Sequence, residues 1–268
     1  MDHAHEQDQS PLKLTSATDG PPVKVGVAVT DLTTGLYAAN AILAALIQRG
    51  TSAARSGSGK GRGQHIDVAL SDCQVATLTN IAESILVSGE KDSGRWGTAH
   101  PSIVPYQAFK TADGDILVGG GNDKLFRILC AQLGKPEWGG DVRFATNSAR
   151  VANREVLEPL IEAETKKRTT REWLDVFEGS GMPYAAVNDV RSTLEHPHVR
   201  ARNMVTRVEH PACGTIDLVD APVKYSGTSP GVREPPPLLG QHTDEILTKI
   251  LGMSGLEVKK LRVEGIVA

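Results

Sequence analysis

One stretch constrains the fold more than any other: residues 36–48, LYAANAILAALIQ, with an unbroken apolar run at 41–47. A helix that is apolar on all sides must be buried on all sides. The chain therefore needs a core around this segment, and 268 residues are enough to build one. Residues 23–29, VKVGVAV, precede it and read as a short buried strand. Between the two lies a polar turn at 30–35, TDLTTG. Strand, polar turn and buried helix make an α/β beginning. Even when it is extended back to Leu36, the run is too short to span a bilayer, so no membrane partner is expected.

Asp31 sits where strand gives way to helix, and two readings share the same physics. As an N-cap, its carboxylate would accept hydrogen bonds from the free helix N–H groups. As a nucleophile, it would be kept ionised by those amides and by the helix dipole. Gly119, Gly120 and Gly121 offer a second candidate site, followed by Asn122 and Asp123. Glycine permits positive φ and close backbone approach. The run fits neither GxGxxG nor a Walker A loop, since no Gly-Lys-Ser/Thr follows. It reads as a tight turn or as a loop that closes over a reacting group. His100, in the run HPSIVPY that ends at Tyr106, either lines a cleft or is an ordinary loop histidine.

Several chemistries are excluded. No HExxH or HxxEH spacing occurs, and neither does GxSxG, so neither a metal hydrolase nor a serine hydrolase is expected. Cys73, Cys130 and Cys213 are far apart and odd in number. They read as buried thiols in a reducing compartment rather than as a disulfide or zinc framework. A net charge of -3 and an aromatic content of 4% give no basis for nucleic-acid binding.

The rest of the chain divides by local signals. Residues 1–20 are mostly polar and read as a disordered tail. The segment 51–63, TSAARSGSGKGRG, has linker composition. A short strand is expected at 65–68 and a helix at 70–87. A β-hairpin is expected from 106–109 and 116–118 around the turn Thr111-Ala112-Asp113-Gly114. Helices follow at 123–133, 147–166 and 170–179, with a strand at 184–187 and a second hairpin at 204–219 turning at Cys213-Gly214. A last helix is expected from 243 to 251 with Thr243 as its N-cap.

Five collinear segments carry a resemblance: 26–35 (GVAVTDLTTG), 61–70 (GRGQHIDVAL), 100–109 (HPSIVPYQAF), 141–153 (DVRFATNSARVAN) and 237–244 (PLLGQHTD). Together they resemble the family III CoA-transferases. The resemblance implies an α/β fold with a Rossmann-like large domain, here incomplete, and a smaller α+β domain, in an interlocked homodimer. Residues 21–85 and 205–268 would then be large-domain remnants and 100–190 the small domain, with 86–99 and 191–204 as linkers. It implies coenzyme A as substrate, no permanently bound cofactor and no metal. The donor is an acyl-CoA and the acceptor a carboxylic acid, with motif wording closest to members that use dicarboxylates. Asp31 is implied as the nucleophile and the 119–121 run as the loop over its intermediate. Asn122, Asp123, His100 and Tyr106 are further substrate-binding or base candidates. The related α-methylacyl-CoA racemases are an alternative, with Asp31 as a base, and so is an inactive fragment partnering a longer homologue. Only 30 residues precede Asp31. Family members carry about half of the large domain before it, so the chain resembles their C-terminal part. A soluble cytoplasmic or mitochondrial location is expected.

Overall fold

A computed structural model of the chain describes residue 20 and residues 23–56, 61–90 and 94–267. Two compact units result, Met1–Val187 and Asn188–Ala268. The expected tail at 1–20 lies, except for Gly20, outside the described residues.

The first unit opens with helix α1, Val29–Ser56. No strand forms at 23–28, where Val23 and Val27 are exposed. Helix geometry instead begins at Val29 and swallows the expected polar turn. The threonines make this possible: the hydroxyls of Thr33 and Thr34 donate to the carbonyls of Val29 and Thr30, each at 2.7 Å. The helix also outruns its expected end near Gln48, taking in the first part of the linker. It is not buried on all sides, since Leu36 is 66% and Ile47 70% exposed. By length and composition alone the helix could cross a membrane over Val29–Arg55, its most apolar 18-residue window having a mean hydropathy of 1.2. The apolar run by itself is shorter, and flanking polar residues carry the helix further.

The expected strand at 65–68 is absent, and the expected helix at 70–87 is two helices, α2 (Leu70–Thr77) and α3 (Thr79–Ser88), joined at Leu78. Thr30 ties α1 to α2: its Oγ1 donates to Gln74 Oε1 at 2.6 Å, and Gln74 is buried.

The remainder of the first unit holds the core. Strands β1 (Tyr106–Lys110) and β2 (Asp115–Gly119) form the expected hairpin, and β3 (Tyr184–Ala186) adds to β2. All pairing is antiparallel; Ala108 faces Leu117, and Leu117 faces Ala185. Helices α4 (Asp123–Gln132), α5 (Asn147–Ala152), α6 (Arg154–Thr165) and α7 (Thr170–Phe177) accompany this sheet, so the expected 147–166 helix is broken at Asn153. Phe109, Ile116, Val118, Phe126, Leu129 and Phe177 are among the residues that fill one buried cluster. Thr169 and Glu172 form a reciprocal capping box at the start of α7.

The second unit carries short helices α8 (Val190–Glu195) and α9 (Pro197–Ala201), then the expected hairpin β4 (Val205–His210) and β5 (Gly214–Val219). Thr243 does not cap the last helix: His242 holds that position, and Thr243–Glu245 runs into a π-turn at Ile246–Ile250. A further helix, Gly255–Val263, starts at a Ser254–Glu257 capping box. Cys73 and Cys130 are buried as expected, but Cys213 is exposed at the hairpin turn.

Candidate active site

Asp31 occupies the first turn of α1, two residues inside the helix, so it is not the N-cap. Its carboxylate is exposed, and among the described residues no hydrogen bond or ion pair reaches it. The positive end of a long helix complements a negative charge there. The bond from Thr30 to Gln74 fixes the backbone one residue before it.

The glycine run ends β2. Gly119 N donates to Pro183 O at 2.9 Å and Gly120 N to Pro105 O at 2.8 Å. None of the three has a positive φ. Close packing favours glycine here instead. A Cβ on Gly119 would sit 3.0 Å from the Tyr106 ring, one on Gly120 3.1 Å from Cγ of Pro105, and one on Gly121 3.3 Å from Ile103. Asn122 is the N-cap of α4, its Oδ1 accepting from Leu125 N at 2.9 Å. Asp123 pairs with Arg150 at 3.0 Å.

His100 and Tyr106 are brought together across the intervening loop. The His100 amide donates to Tyr106 O at 3.0 Å, and the two rings lie 5.9 Å apart at 57°. Nδ1 of His100 accepts from Ser102 N at 3.1 Å. The chain thus gathers His100, Tyr106 and residues 119–123 around one loop. Asp31 lies on the α1–α2 hairpin, and among the described residues no hydrogen bond or ion pair joins it to that group.

Two arginines that the sequence did not single out build this loop. Arg150 is fully buried. Its Nε donates to Val104 O at 2.6 Å and its Nη1 to Phe144 O at 2.9 Å, and the guanidinium lies 4.5 Å from the centre of the Phe126 ring. One cation therefore clamps the segment before Pro105 to the N-terminus of the helix that follows the glycines. Burial pushes its pKa down, and the Asp123 carboxylate opposes that shift. Arg154 donates to Pro101 O at 2.8 Å and His100 O at 3.1 Å, stacks 4.5 Å over Trp96, and reaches Glu158 at 3.7 Å. Burial raises the Glu158 carboxyl, with Arg154 opposing it. Both arginines fall in or beside the segment 141–153, but nothing in their spacing distinguishes them from surface arginines. Among the described residues no cluster of three His, Cys, Asp or Glu could hold a metal.

The chain matches CoA-transferase family III over residues 1–243, and it belongs to that family. Succinyl-CoA:glutarate CoA-transferase of Mus musculus is 41% identical over 96% of this chain and 57% of its own length. Succinate--glutarate CoA-transferase of Agrobacterium fabrum is 39% identical over 89% of this chain and 58% of its own. The crystal structure of a CAIB/BAIF family protein from Brucella suis superposes with a TM-score of 0.72 at 37% identity, covering 90% of this chain and 60% of that one. The mixed α/β fold with small sheets is thus that of the CaiB/BaiF structures. The chain spans a little over half the length of these relatives.

Proposed function

We propose that this chain serves acyl-CoA:carboxylate CoA transfer, with a dicarboxylic pair such as succinyl-CoA and glutarate as donor and acceptor. The observation that supports this most is the 41% identity to a succinyl-CoA:glutarate CoA-transferase over nearly the whole chain. Asp31 is the nucleophile in this reading. One of its oxygens attacks the thioester carbonyl, the C–S bond breaks, and CoA leaves as thiolate. The product is a mixed anhydride between Asp31 and the donor acyl group. The thiolate then attacks the Asp31 carbonyl, expels the donor as free carboxylate and leaves an aspartyl-CoA thioester. The acceptor carboxylate reverses both steps, which restores Asp31.

An anhydride survives only where water is kept out. In this reading the 119–121 run forms the wall over it, while His100 and Tyr106 line the acceptor pocket with Asn122 and Asp123 beside them. Residues 21–85 and 205–268 belong to a Rossmann-like large domain, residues 100–190 form the small one, and the working species is a homodimer. Coenzyme A is a substrate, and no resident cofactor takes part.

Trapping tests the assignment. Hydroxylamine added with succinyl-CoA should convert Asp31 to a hydroxamate, located by peptide mass spectrometry and absent from Asp31→Asn. A preparation that transfers CoA without an Asp31 adduct would refute it. Solvent deuterium appearing at the α-carbon of the acyl-CoA with no acceptor present would favour the racemase reading instead.

A further inference from the structure

The helix Val29–Ser56 shows two different faces. At 3.6 residues per turn, Leu32, Leu36, Leu43, Leu46 and Ile47 fall on one side. All five are exposed, with Leu32 at 61% and Leu43 at 59%. Thr30, Thr34, Ala38, Ala41 and Ala45 fall on the other side and are half-buried. That is the side from which Thr30 reaches Gln74 of the helix Leu70–Thr77. The large residues are therefore on the uncovered side and the small ones on the covered side, the reverse of what a finished core shows. The stripe runs about 24 Å along the helix at 1.5 Å per residue.

We propose that this stripe is the seat of the part of the family III polypeptide that this chain does not span, whether joined to it or supplied separately. Two observations select that occupant. The Mus musculus relative aligns with nearly all of this chain, the apolar helix included, yet only 57% of its length is used. The Brucella suis structure likewise has 60% of its chain covered. About two-fifths of each relative is left over, and this helix leaves a face to be covered. The shape of the stripe also decides. Two copies of one helix pair along a narrow seam of two positions in seven. Here Ile42 and Ile47, both exposed, flank the Leu32, Leu36, Leu43 and Leu46 line on either side, so the apolar residues cover a wider arc, the kind that faces a packed layer of several elements. Against a lipid occupant, the opposite face is already packed on protein, and Thr33 and Asn40 border the apolar surface along one edge.

The proposal rests on family membership and not on the reaction, so association and CoA transfer are read separately. The segment of the Mus musculus relative that does not align with this chain is co-expressed with the full 268-residue chain. Sedimentation should show a one-to-one complex, and hydrogen exchange at 29–56 should slow at least tenfold in it. The double variant Leu43→Glu/Ile47→Glu should lose the complex while Trp173, in the separate buried cluster, keeps its native fluorescence. No complex with that segment, nor with its Agrobacterium fabrum counterpart, overturns the proposal. So does self-association of the chain alone that the same double variant abolishes, or binding of the chain to phosphatidylcholine/phosphatidylglycerol vesicles. A complex that forms but transfers no CoA leaves the proposal standing and counts against the role given to Asp31.

Discussion

Arg150→Met is the sharpest probe of the loop that holds the glycine run. The wild-type guanidinium satisfies two carbonyls, Val104 and Phe144, and pairs with Asp123. Methionine roughly fills the volume and removes every donor. Each buried carbonyl left without a partner costs about 1–3 kcal/mol. Asp123 adds little, because at 43% side-chain exposure it can turn to water. Two terms run the other way: methionine has no charge to desolvate, and Nη2, which makes no hydrogen bond among the described residues, disappears. The net loss should be about 2–4 kcal/mol. Urea titration followed by the fluorescence of Trp173, which shares the buried cluster, measures it. Arg150→Lys should recover only part, since one ammonium lacks the planar fork that serves three acceptors. Arg143→Met, which removes a surface pair with Asp141, should leave the midpoint unchanged. A loss under about 1 kcal/mol for Arg150→Met, or full recovery by lysine, would refute the clamp.

Gly120→Ala should cost about 1–3 kcal/mol by overpacking, because Pro105 receives the Gly120 amide bond and cannot back away from a Cβ 3.1 Å from its ring. In a preparation that transfers CoA, the ratio of acyl-CoA hydrolysis to transfer should also rise; an unchanged ratio with folding intact would show that the loop packs but does not shield. Two carboxyls should give opposite pH slopes. Thr170 donates from backbone and hydroxyl to Asp113 and holds it below its ordinary 3.8, so its stabilisation is full above that value and is lost as pH falls through the lower folded one. Burial holds Glu158 above its ordinary 4.5, so its contribution worsens as pH rises from 4.5 through the folded value. Asp113→Ala should flatten the acid limb of the stability profile and Glu158→Gln the limb above it, both read by urea midpoints across pH. Under native conditions a thiol reagent should label Cys213 fast and leave Cys130, whose pKa burial pushes up to about 12; rapid labelling of both would refute that burial.

Much of the first unit was legible because its signals are local. The hairpin Tyr106–Gly119 follows from alternation around a Thr-Ala-Asp-Gly turn, and the end of the helix Asp123–Gln132 from the stop at Gly134 and Pro136. The family, too, was legible in five short segments, because a collinear series of motifs is a property of the chain alone. Several readings that needed a neighbour failed. Residues 23–28 have strand composition and form no strand, since a strand is stable only when another strand supplies its hydrogen bonds. The 70–87 region breaks at Leu78 and the 147–166 region at Asn153, positions with no glycine or proline to announce them.

The glycine run shows the division within one motif. Three consecutive glycines mark a special backbone whatever surrounds them. Only the packed structure decided that the need is steric, set by Tyr106, Pro105 and Ile103, and not a left-handed φ. In the same way the sequence makes residue 150 an arginine, but its burial depends on Val104, Phe144 and Asp123 converging on one point from three separate segments. The apolar helix is the reverse case. Its composition demands burial, and composition is intrinsic to the chain. Whether that demand is met depends on which surfaces are brought against it, and that no single segment can encode.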